Sequence, residues 1–108
     1  MEINIEEILK IGKPLYEIGI NNWALSKPEA LNAIDQFHSL GISILGGDVY
    51  TMTNELFIPT HDNWYCDQLP QEAQIEFLNR SIVKARHYIE AYKINADDKI
   101  YFVLVPDF

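Results

Sequence analysis

Positions 100–105 read Ile-Tyr-Phe-Val-Leu-Val, with no polar residue among them. Successive side chains of a strand point to opposite faces. A run without a polar position therefore needs cover on both sides. It predicts a central strand over about 99–105, ended at Pro106, which has no N–H to give to a ladder. A chain of 108 residues supplies such cover by layering helices and further strands around a core. The reading is one α+β domain over 1–108.

A second β-type stretch, Ile42-Ser-Ile-Leu-Gly-Gly-Asp-Val-Tyr50, has a break in its alternation. Ile42 and Ile44 share a face, but Val49 has the opposite parity. One extra residue at Gly46-Gly47, as a β-bulge, returns Val49 to the core side. Asp48 and Tyr50 then face outward together. Two readings stand for this step. Asp48 and Tyr50 form part of a binding surface, or Gly46-Gly47-Asp48 is ordinary turn chemistry. Polar residues 51–54 predict a hairpin loop, and Leu56-Phe57-Ile58 predicts a short strand stopped by Pro59.

Helical signals fill the rest. Asn4 and Glu7 fit a capping box, with Ile3 and Ile8 as its staple. Ile5, Ile8 and Leu9 face the core, and Gly12 and Pro14 end that helix. Ser26 and Glu29 form a second box for a helix reaching about Leu40, with Gly41 as its C-terminal cap. Its apolar stripe is Ala30, Leu31, Ile34 and Phe37, with His38 beside it as a half-buried structural residue. The longest helix runs over about 70–92, with Ile75, Leu78, Ile82, Ala85, Ile89 and Tyr92 as its stripe. Glu76–Arg80 and Arg86–Glu90 are spaced as i,i+4 ion pairs on it. Gly19 to Leu25 reads as a connection carrying Trp23, either a plug for the core edge or an anchor for a partner. The expected sheet is small and mostly antiparallel, with about four strands at 42–50, 55–59, 63–66 and 99–105, packed by three helices.

Chemistry-bearing residues gather in Thr60-His-Asp-Asn-Trp-Tyr-Cys-Asp-Gln-Leu69. His61, Asp62, Cys66 and Asp67 include one histidine and one cysteine, which lacks the pattern of a structural zinc site. No metal and no cofactor is expected. His61 and Cys66, five apart, give no evidence of a nucleophilic pair. Cys66 reads as a small buried hydrophobe. A single cysteine excludes an internal disulfide framework. No apolar run approaches the ~18 residues of a membrane span, and Met1-Glu-Ile-Asn lacks a basic signal-peptide start. The expected compartment is the cytoplasm.

Sixteen acids against eight bases give a net charge of −8. Such a surface repels phosphate backbones, so nucleic acid is not an expected partner. It favours association with a basic protein.

Four segments together carry a resemblance: Gly19-Ile-Asn-Asn-Trp-Ala-Leu25, Gly46-Gly-Asp-Val-Tyr50, Asp62-Asn-Trp-Tyr-Cys66 and Tyr101-Phe-Val-Leu-Val105. In combination, and in the order of the helices around them, they resemble immunity protein family 40 of bacterial polymorphic toxin systems. The resemblance implies a non-enzymatic α+β protein that binds and neutralises a cognate toxin encoded beside it. It supplies no established contact residues.

Aromatic anchors inside a charged rim are what such an inhibitor needs. The candidate partner-binding residues are Asp48, Tyr50, Asp62, Trp64, Tyr65 and Asp67 around the hairpin, with Trp23. No catalytic residue is assigned. Two other readings remain open at this level. One is a small enzyme using carboxylates or a metal at Asp48, His61, Asp62 and Asp67. The other is an adaptor or ligand-binding module with a closed apolar pocket near Trp23 or Trp64.

Overall fold

The computed structural model describes residues 4–107, so the Ile3 half of the expected staple lies outside the described residues. Helix α1 (Ile5–Leu9) begins where Asn4 accepts a bond from the Glu7 N–H. Strands β1 (Lys13–Pro14) and β2 (Trp23–Ala24) form a small antiparallel pair. Helix α2 (Lys27–Ser39) carries the full Ser26–Glu29 capping box, and Gly41 takes the left-handed conformation beyond its end. Strands β3 (Ile44–Thr53) and β4 (Leu56–Tyr65) then make a long hairpin. Helix α3 (Gln74–Ala91) and strand β5 (Ile100–Pro106) complete the chain. Among the described residues the fold is α+β, with three α-helices, a short 3-10 turn at Tyr16–Ile18, and five strands in two antiparallel sheets. No helix among the described residues is long and apolar enough to cross a membrane.

The larger sheet has the order β4-β3-β5, so β3 is central and β5 lies at its margin. This corrects the expectation for 99–105. The apolar run reports two covered faces rather than a central position. On one face Phe102 and Leu104 join the main core with Leu25, Ile34, Phe37, Val49 and the stripe of α3. On the other, Val103 packs with Leu15, Ala24 and Tyr50 beneath the β1–β2 pair. The outer margin of β5 is also occupied. Leu25 and Phe102 exchange both backbone bonds, at 2.8 and 2.7 Å, and the Asn22 amide donates to the Leu104 carbonyl at 3.0 Å. A strand edge satisfied in this way offers little to another chain.

The register shift opposite β5 falls between Ile44 and Gly46, one residue before the expected place. It has the expected effect, since Ile44 and Val49 enter the same core. Buried Ser81 serves this bend by accepting the Ile44 N–H at 3.0 Å. A second irregularity was not foreseen. Between Asp48 and Tyr50 the partners on β4 jump from Asn63 to Pro59, so β4 bulges at 60–62 and His61 adopts φ 71°.

That bulge joins the two short strands expected at 55–59 and 63–66 into one. Pro59 does not end the strand, because β4 is at the sheet edge, where a missing donor is tolerated. The hairpin loop is shorter than 51–54. Asn54 and Glu55 form it at φ 52° and 66°, the left-handed signature of the tight type I′ turn.

Helix α3 starts at Gln74 rather than Pro70, and Ile75 is exposed instead of joining the stripe. The expected ion pairs on α3 are replaced by tertiary ones. Arg80 pairs with Glu72 in the preceding loop, and Arg86 pairs with Asp35 of α2. Glu76 instead accepts the Ala73 N–H at the helix start. His38 is exposed rather than half-buried and contacts Asn79 of α3 at 3.1 Å.

Candidate partner-binding surface

The pairing of β3 with β4 decides which side chains reach solvent. Gly47 lies opposite Trp64, and both face the helices. A Cβ on Gly47 would overlap the six-membered ring of Trp64, and one on Gly46 would overlap the Trp64 backbone carbonyl. The two glycines thus serve a close approach. They let the indole lie over the strand, where it is 6% exposed and stacks on Tyr88 of α3 at 4.6 Å between centroids.

This separates the seven candidate residues. Asp48 is exposed on the face away from the helices. Tyr50 follows it on that face but is 8% exposed, because the β1–β2 pair covers it. Tyr50 and Trp64 are therefore corrected from surface anchors to core residues. The burial of Tyr50, followed by the Asp48 charge, raises its phenol pKa above 10.0. Trp23 lies across the sheet, beyond β5, in an open cleft of about 370 Å³ that it shares with Ile5, Leu9 and Val105. That cleft is not the closed pocket expected of a ligand-binding module.

Asp62, Tyr65 and Asp67 stand along the other margin, where β4 meets α3. Asp62 sits in the bulge and accepts the Tyr92 hydroxyl at 2.7 Å. The bulge is further fixed by Thr60, which donates to the Val49 carbonyl at 3.0 Å and accepts from the Asp62 N–H at 3.1 Å. Burial first, and then the Asp62 bond, raises the Tyr92 pKa above 10.0. Tyr65 is 69% exposed, with the Lys84 ammonium 5.4 Å from its ring centroid.

The loop carrying Asp67 is held by Arg80. Its guanidinium donates to both Glu72 carboxylate oxygens at 2.8 Å, to the Asp67 carbonyl at 2.6 Å and to the Cys66 sulfur at 3.2 Å. It also lies over the Phe77 ring at 5.6 Å. These donors, with the Leu69 N–H, hold the Glu72 carboxyl down to about 2. Cys66 is buried, as expected, and its sulfur is engaged by Arg80 rather than by His61. Among the described residues no group of three or more His, Cys, Asp and Glu side chains is placed to hold a metal.

The α3 side of this margin was not legible in the sequence as surface. Val83 is 66% exposed. With Asn79, Arg80, Lys84, His87 and Tyr88 it lines a shallow open depression of about 610 Å³. Tyr88 belongs to both halves, touching the depression on one side and Trp64 on the other. The one available signal was Val83 itself, an apolar residue off the helical stripe.

An α+β fold thus presents an aromatic and apolar seam between β4 and α3, bordered by charges of both signs. The family model for immunity protein 40 matches residues 14–106. The chain belongs to that family of immunity proteins. No curated protein and no solved structure matches it.

Proposed function

We propose that the chain neutralises a cognate toxin by stoichiometric binding, and that it acts without catalysis in the cytoplasm of the cell it protects. Family membership is the observation that carries this reading. The exposed Tyr65 on β4 and Val83 on α3, with exposed Asp62 and Asp67 on the β4 side, support it by giving this margin apolar groups among charges. The net charge of −8 favours approach by a toxin with a basic surface. Asp48, on the neighbouring face, contributes to the same field. Nucleic acid, repelled by that charge, is not the partner.

The test uses the toxin domain encoded beside this chain. Co-expression of the active toxin with the chain should restore growth. A catalytically inactivated toxin should form a one-to-one complex with the purified chain in sedimentation analysis. Absence of both protection and complex overturns the reading, as does turnover of a substrate by the purified chain alone.

A further inference from the structure

The helix that closes the seam carries one cation with no ionic partner among the described residues. The whole chain carries −8, yet residues 79–88, Asn-Arg-Ser-Ile-Val-Lys-Ala-Arg-His-Tyr, hold three cations and no carboxylate. Two of those cations are already committed. Arg80 is taken by Glu72 and Asp67, and Arg86 by Asp35. Lys84 forms no salt bridge among the described residues and rests against the Tyr65 ring. Beside it Val83 and the Tyr88 ring supply the apolar part of the depression, whose other lining residues are Asn79, Arg80 and His87. The surroundings are braced. Tyr88 is stacked on buried Trp64, Arg80 is fixed by four acceptor contacts, and Asn79 is tied to His38. A braced surface lowers the ordering cost of an incoming side chain.

Resting on the reading of the chain as a toxin inhibitor, we infer that the outer face of α3 is the centre of the toxin contact. It takes an apolar side chain of the toxin that stands beside a carboxylate. The apolar group enters between Val83 and Tyr88, and the carboxylate meets Lys84. A second copy of the chain is a poor occupant for this face. Two-fold pairing centred on Val83 would bring the two unpaired Lys84 charges close together and supply no carboxylate for either. A mainly basic toxin with one acidic group at this point matches the pattern as a whole. The long-range field draws it in, and the unpaired Lys84 sets its orientation.

Val83 and Lys84 are exposed on a helix, so substitutions there leave the core intact. Val83→Asp and Lys84→Glu should each weaken binding of the inactivated neighbouring toxin domain by roughly tenfold or more, with an unchanged thermal midpoint. Lys84→Arg should retain binding. Lys13→Glu, the same charge change on exposed β1, should leave affinity within about twofold, the effect expected outside an interface. Wild-type affinity in both α3 variants overturns the inference while leaving toxin neutralisation intact. A wild-type chain that does not bind the toxin removes the underlying reading instead. A wild-type dimer that Val83→Asp dissociates overturns it in favour of self-association.

Discussion

Gly47 and Trp64 face each other across β3 and β4, with the indole occupying the space that a Gly47 side chain would need. Gly47→Ala therefore forces the ring off Tyr88 or bends the strand. Overpacking of this kind costs about 1–3 kcal/mol. The loss should appear as a lower midpoint in urea with an unchanged slope, together with a change in Trp fluorescence.

The Arg80 clamp makes the 66–72 loop sensitive to acid. Glu72 is held at about 2 in the folded chain against an ordinary 4.5. A depressed carboxyl stabilises the folded state above its unfolded pKa, and this contribution is lost as pH falls through the folded one. The wild-type thermal midpoint should therefore exceed that of Glu72→Gln near neutrality. The gap should close between pH 4.5 and about 2. A gap that is constant over that window would contradict the clamp.

Tyr92 ties the end of α3 to the bulge at Asp62. Tyr92→Phe keeps the ring packing and removes one hydrogen bond, for an expected loss of about 0.5–1.5 kcal/mol at neutral pH. Its direction with pH is also fixed. The Tyr92 pKa is raised above 10.0, so the stabilisation is complete below that value and fades as pH climbs through the folded pKa. Amide exchange at His61 and Asp62 should speed up in the variant if the hydroxyl holds the bulge.

Asp48 and Asp67 are exposed, and neither side chain enters the core. The double replacement Asp48→Lys and Asp67→Lys should fold normally and associate with a basic toxin more slowly, on the order of tenfold at low salt. The difference should shrink as ionic strength rises, because screening removes long-range steering. Association rates measured across a salt series check this.

Much of the fold was written locally. The Asn4 and Ser26 caps, the Gly41 stop and the α3 stripe from Leu78 to Ile89 depend on neighbours a few residues away, and all appear where spacing places them. The extra residue that brings Val49 into the core was legible for the same reason, through broken alternation. The bulge at His61 left no comparable signal. It depends on how β4 registers against β3 and on Tyr92, thirty residues further along.

The surface was divided in the same way. The amino-acid order alone determined that Ile100–Val105 needs cover on two faces and that aromatic residues and acids gather at 60–69, since both follow from side-chain chemistry and short periods. Tertiary structure decided what those aromatics do. It laid Trp64 across Gly47, closed the β1–β2 pair over Tyr50, and left Tyr65 exposed against Lys84. The physical reason is that exposure is set by what packs against a side chain, and here the packing elements come from distant parts of the chain.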